Sequence, residues 1–180
     1  YVMSKKPFNL ETIHIAVKEY RFDDALKLIQ KNLKKDADHM DSLYLAAVCS
    51  RYKKNYKDAE NYLRKLLSIA PDMGRAYQEL AHLNRDMGNK IQATGYYRQA
   101  TEHNPALLAS WNELYKLAVE SKNRGSARHA KEKIEQLKSL PNILLHILRG
   151  GLIKEDYHFC RRVPWPEATN LHGSGGLFRH

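Results

Sequence analysis

The stretch GRAYQELAHLNRDMGNKIQATGYYRQATEHNPAL, running from Gly74 to Leu107, decides the architecture. Its Ala93 is one of four alanines, Ala25, Ala59, Ala93 and Ala127, each 34 residues after the last. Its Tyr77 belongs to a second series, Leu43, Tyr77 and Trp111, with the same step and sixteen positions ahead of an alanine. Pro71 and Pro105 form a third, and Ala46, Leu80, Leu114 and Ala47, Ala81, Tyr115 run in step between them. Asn55, Asn89 and Asn123 mark one turn in each period. Self-similarity at one fixed interval is the mark of a stacked array of supersecondary units.

Each unit reads as two antiparallel helices. Positions eight and twenty fall where the pair crosses, and small side chains there let the backbones approach, as Ala47 with Ala59 and Ala81 with Ala93 do. A leucine forced into such a crossing would cost about 1 to 3 kcal/mol in strain. Proline at the end of the second helix turns its predecessor away from helical geometry and closes the unit. One pair cannot bury its apolar face alone, so the units stack into a solenoid with a concave and a convex side.

Tyr77, Leu80, Ala81, Gly88, Ala93, Tyr97, Ala100 and Pro105 follow the aromatic, Leu, small, Gly, Ala, aromatic, Ala, Pro order of the tetratricopeptide repeat, and residues 74–107 resemble a near-consensus copy. The flanking copies are looser. Residues 40–73 keep Ala47, Ala59 and Pro71 but carry Lys54 at the glycine turn; residues 108–141 keep Trp111, Leu114 and Ala127 and delay the proline to Pro141. Residues 6–39 retain mainly Ala25 with Leu26, Leu28, Ile29 and Leu33. The resemblance implies an all-α solenoid of about four hairpins in a right-handed superhelical stack. A lead-in over 1–5 precedes them, and a partial fifth pair over 142–162 and an irregular tail over 163–180 follow.

A second resemblance covers about 108–162. Asn104 to Leu107 with Ser110 and Trp111, then Leu137, Leu140, Pro141, Gly151 to Lys154 and Phe159 to Arg161, look like the amino-terminal repeats of bacterial tetratricopeptide sulfotransferases. The pattern departs at Glu155 and Asp156 and is gone beyond Arg162, as in a truncated or frame-shifted product. It implies a parent enzyme that carries a sulfuryl group from a phosphosulfate nucleotide to a hydroxyl, with the repeats recruiting the acceptor.

With 43% apolar and 28% charged residues the chain reads as a soluble, helix-rich protein. The densest apolar run, Ile143 to Leu148, is interrupted by His146 and is too short to span a bilayer. The opening Tyr1, Val2, Met3 reads as the start of a fragment rather than a leader. Two distant cysteines, Cys49 and Cys160, point to a reducing, cytoplasmic setting, with Cys49 a small core residue.

The formal charge of +10 raises acidic partners as a possibility, and its distribution narrows that reading. Lys27, Lys31, Lys34, Lys35, Lys57, Arg64, Lys65, Arg128, Lys131 and Lys133 lie in second helices, the convex side. The first helices mix Arg51, Arg75, Arg85 and Lys116 with Asp41, Glu79, Asp86, Glu113 and Glu120, and a groove for phosphates would not carry so many carboxylates. Nucleic acid is therefore disfavoured.

No residue set reads as catalytic, and no cofactor is implied. His158, Cys160 and His172 lack the tight paired spacing of a zinc site. Gly173 to Gly176 has no Gly-Lys-Ser/Thr after it and no strand before it.

The candidate binding surface is a stripe at positions five, nine and twelve of each first helix, one face by the i, i+4, i+7 rule. It comprises Tyr44, Val48 and Arg51; Gln78, His82 and Arg85; and Asn112, Lys116 and Val119, with Leu10, His14 and Val17 from the first unit. Such a mixture suits a peptide with acidic and apolar anchors; the alternative reading is a merely solvated face. Chaperone-binding relatives grip a terminal carboxylate with Lys and Asn where Leu10 and His14 stand, so that role is disfavoured. The reading is a non-catalytic scaffold that binds protein or peptide. The alternatives are a sulfotransferase recruiting module and a basic module for acidic polymers.

Overall fold

The computed structural model describes residues 9–140. The expected lead-in, fifth pair and tail, and with them His158, Cys160 and His172, lie outside the described residues. Eight helices follow one another there: α1 (Leu10–Lys18), α2 (Phe22–Lys35), α3 (Met40–Tyr52), α4 (Tyr56–Ile69), α5 (Gly74–Asp86), α6 (Lys90–His103), α7 (Leu108–Glu120) and α8 (Arg124–Ser139). Each odd-numbered helix packs on the even one after it, and successive pairs meet through α2 and α3, α4 and α5, and α6 and α7. The result is an α-solenoid of tetratricopeptide-type hairpins.

The alanine series explains the pairing. Ala25, Ala59 and Ala93 are fully buried, and Ala47 and Ala59 share one apolar cluster while Ala81 and Ala93 share the next. From these alanines a stripe follows the helical period: Ala59, Leu63 and Leu66 in α4 with Ala70 capping its end, then Ala93, Tyr97 and Ala100 in α6. α8 departs from this pattern. Lys131 stands where α4 has Leu63 and α6 has Tyr97, and a lysine ammonium is not buried without a partner. Ala130, Ile134 and Leu137 form the buried stripe instead, and Ala127, expected at a tight crossing, is only half-buried.

The proline and aromatic registers meet in a hydrogen bond that the period alone does not reveal. Tyr77 Oη donates to the carbonyl of Pro71 at 3.0 Å, and Trp111 Nε1 donates to that of Pro105 at 2.9 Å. Each bond ties a first helix to the end of the preceding unit and satisfies the polar tip of a large ring. Gly74, opening α5, sits so close to the end of α6 that a Cβ would lie 2.9 Å from the Ala100 carbonyl oxygen.

Within every hairpin the first helix ends in the same turn. The residue before the second helix donates its N–H five residues back: Arg21 to Ala16 and Asn55 to Ser50 at 2.8 Å, Asn89 to Asn84 at 2.8 Å, and Asn123 to Ala118 at 2.9 Å. This is the Schellman closure, which needs a left-handed residue just before it. Gly88 supplies φ +83°, while Tyr20, Lys54 and Lys122 adopt φ 58°, 62° and 57°. Lys54 therefore keeps the turn that its side chain seemed to forgo, against the steric cost of a Cβ in this region.

Replacing Lys54 by glycine is expected to raise stability by roughly 1 kcal/mol, the relief of that cost less the glycine's extra chain entropy. The check is a rise in urea midpoint with an unchanged denaturant slope; an unchanged or lowered midpoint would show the turn to be unstrained.

Candidate functional site

The stripe of first-helix residues does not lie open along its whole length. Tyr44 and Val48 are 5% and 1% exposed and belong to the apolar cluster with Leu63, Leu66 and Leu83, so neither is a contact surface. Their burial follows from the place of α3, which packs against α2, α4 and α5 at once. His14 and Val17 are likewise buried, and Leu10 is half-buried. Gln78 and Asn112 are half-buried, and Lys116 and Val119 are exposed. The accessible part of the stripe thus sits mainly on α5 and α7 and is polar apart from Val119.

The arginines of the stripe face carboxylates on the next unit. Arg51 Nε lies 3.0 Å from Glu79 and its Nη1 2.9 Å from Asp86, with the Arg51 and Glu79 side chains each 10% exposed. Arg85 reaches Asp86 at 3.0 Å and Glu113 at 3.2 Å, and Lys116 closes on Glu113 at 2.9 Å. Arg51 to Glu79 and Arg85 to Glu113 are the same step, 28 residues, so the ladder repeats with the stack. The corresponding residues one unit earlier, Val17 and Leu45, are both buried in one apolar cluster. One contact is therefore built from hydrocarbon at the first junction and from ion pairs at the next two.

Burial works against the Arg51 charge, but Glu79 and Asp86 outweigh it and hold the guanidinium above its usual range. Burial also opposes the Glu113 carboxylate, and Lys116 and Arg85 bring it down below the usual range. Three of the carboxylates that argue against a phosphate groove, Glu79, Asp86 and Glu113, are thus partners of the groove's own arginines. Sequence reasoning placed Arg51, Arg85, Glu79 and Glu113 on first helices and missed the pairing. The signal was present, since both arginines and both glutamates recur at the repeat step.

His82 occupies the middle of the ladder. Its Nδ1 is 2.7 Å from the Tyr97 hydroxyl and its Nε2 3.3 Å from Gln78 Nε2. With the Gln78 amide donating to Nε2, the ring proton sits on Nδ1 and is donated to Tyr97 Oη. Burial, then the charges of Arg51 and Arg85, push the imidazole down to about 3, so it is neutral at ordinary pH. Burial raises the Tyr97 hydroxyl, which stays protonated. This is a fixed hydrogen-bonded unit rather than an acid–base pair. Burial also lifts the Cys49 thiol up to about 12, which leaves it a small apolar residue and no nucleophile.

Residues 41–73 and 74–107 each match the tetratricopeptide repeat model, so the central units of the chain are tetratricopeptide repeats. Among solved structures the chain is similar to MamA, with 18% identity, a TM-score of 0.61 and coverage of 74% of this chain and 80% of the other. MamA of Desulfovibrio magneticus RS-1 aligns at 19% identity and TM-score 0.61 over 71% of this chain and 72% of its own. Pseudomonas aeruginosa PilF aligns at 18% identity and TM-score 0.64 over 77% of this chain and 63% of its own. At such identities the likeness is one of fold. No curated protein matches the chain in sequence. Among the described residues no helix is long and apolar enough to cross a membrane.

Arg51→Met is expected to cost about 3 kcal/mol, because it strands the buried Glu79 carboxylate without its counter-charge. Adding Glu79→Met should recover most of that loss, and a double-mutant cycle by urea denaturation reads the difference; additive losses would show the pair to be uncoupled.

The histidine makes stability depend on acidity. Between about pH 6.5 and 3 the unfolded chain takes up a proton that folded His82 refuses, so stability falls as the pH falls through that window. His14, held at about 4 by burial and then Lys18, adds to the same slope. His82→Gln should remove on the order of 2 kcal/mol of the loss between pH 7 and 4.5. Parallel pH profiles for the two proteins would show that His82 is charged in the fold.

Proposed function

We propose that the chain is a non-catalytic scaffold that binds a protein or peptide partner along the concave face of its first helices, in a reducing cytoplasmic setting. The observation that carries this reading is the division of labour in the stripe. Arg51, Arg85 and Glu113 are consumed by contacts between units, which stiffens the wall, while Gln78, Asn112 and Lys116 keep access to solvent. Half-buried amides on a rigid face can pair with the backbone of an extended segment at low entropic cost. Lys116 adds a cation whose partner, Glu113, already answers to Arg85. A carboxylate on the incoming chain can therefore share it.

The tetratricopeptide repeats favour such a role over catalysis. Two other readings rest on narrower observations. The sulfotransferase resemblance over 108–162 supports a recruiting module within a longer enzyme, which the downstream coding sequence tests. The exposed Lys31, Lys34 and Lys35 of α2 support binding to acidic polymers, which would weaken steeply as salt rises.

The triple variant Gln78→Ala, Asn112→Ala, Lys116→Ala is expected to lose partners captured from lysate by the parent chain, with helicity unchanged by circular dichroism. Capture equal to that of the parent would remove the first-helix face from the proposal.

A further inference from the structure

The second-helix side holds a cavity at the third junction. It lies between α6 and α8, has a volume of about 700 Å³, and is floored by Trp111, Leu114, Leu117, Ala118 and Ala130. Its origin lies in one register of the repeat. Tyr62 and Tyr96, 34 residues apart, each pack against the apolar clusters of two successive units and so plug the crevice between their helices. The next residue in that register is Ala130. A second register changes in the same sense, from Phe22 and Tyr56 to Lys90, which also lines the cavity. Two rings are thus missing from a place that the stack elsewhere fills with rings.

The electrostatics select the occupant. The charged residues of the lining, Lys90, Arg98, Glu102 and Glu120, are two cations and two anions, and Lys90 pairs with Glu120 at 2.7 Å. The site therefore offers no net charge to hold a phosphate or a carboxylate. It offers an apolar floor, Thr94, Thr101 and Ser126 for a hydroxyl, and Ile91 standing 90% exposed. The cavity is also continuous with the α6–α7 stacking interface, whose floor residue Trp111 packs edge-on to His129 at 5.6 Å between ring centroids.

We propose that this crevice is a docking site for an uncharged aromatic side chain, tyrosine in type, presented by a partner polypeptide on the face opposite the groove. The incoming ring takes the place that Tyr62 and Tyr96 occupy in the earlier junctions. Binding here is independent of Gln78, Asn112 and Lys116, so the chain can hold two partners at once.

The test is an NMR titration of the isotope-labelled full chain with the capped peptide acetyl-Ser-Ala-Tyr-Ala-Ser-amide. Saturable shifts are expected at the amides of Thr94, Gly125 and Ser126. The peptide with alanine for tyrosine should bind at least about tenfold more weakly, as expected when an anchoring ring is truncated. A phosphotyrosine version should also bind more weakly. Ala130→Tyr restores the plug and should abolish the shifts; should that variant misfold by circular dichroism, Thr94→Trp narrows the crevice from α6 and is read in the same way. Equal shifts from the alanine peptide, or shifts that survive in the folded filling variant, would overturn the proposal. So would shifts confined to the first-helix face. Broadening at the same amides that grows with protein concentration without peptide would assign the crevice to a second copy of the chain and overturn it as well.

Discussion

The close approach of two helices at a pair of alanines is the contact on which everything else in this molecule depends. Ala47 against Ala59 and Ala81 against Ala93 set how near the helices of a hairpin lie. With those crossings repeated 34 residues apart, successive hairpins present the same helix positions to one another. Residues 28 apart on successive first helices then meet at every junction, as Val17 and Leu45, Arg51 and Glu79, and Arg85 and Glu113 do. A side chain too large at a crossing would alter the pitch and break these contacts together.

Ion pairs at such a junction are not chosen for their net energy, since taking two charges out of water costs much of what their attraction returns. The apolar pair at the first junction shows that the fold does not require them. What they supply is orientation: a guanidinium gripped by carboxylates has few alternative positions, and its own charge no longer competes for a ligand. The neutral His82 belongs to the same economy. Lodged between two arginines, it holds Tyr97 by a hydrogen bond and adds no third positive charge. The face that results is stiff and offers amides more than free charge.

Much of this was legible in the linear chain. The alanine, aromatic and proline registers led to helix hairpins, and Gly88 stood at the glycine turn of its repeat. The cost of misreading lay where one residue's surroundings come from another unit. Tyr44 and Val48 obey the spacing of the groove stripe, yet they are buried because α5 packs over α3. Lys54 gave no sign of the positive φ it adopts, since the turn is imposed by the hydrogen bond from Asn55 to Ser50. Ala127 keeps the period in number but is only half-buried, because Lys131 cannot follow Leu63 and Tyr97 into the core.

Periodicity belongs to the chain itself: a side chain's size and polarity at a given step are local facts, and a helix face follows from them without reference to any partner. That is why the hairpins, their turns and their alanine crossings could be read from residue order. Which faces end up covered, which arginines are already spoken for and where a crevice stays empty depend on distances between units. Those distances come from stacking, a sum of many weak contacts between residues far apart along the chain, and only the assembled solenoid settles them.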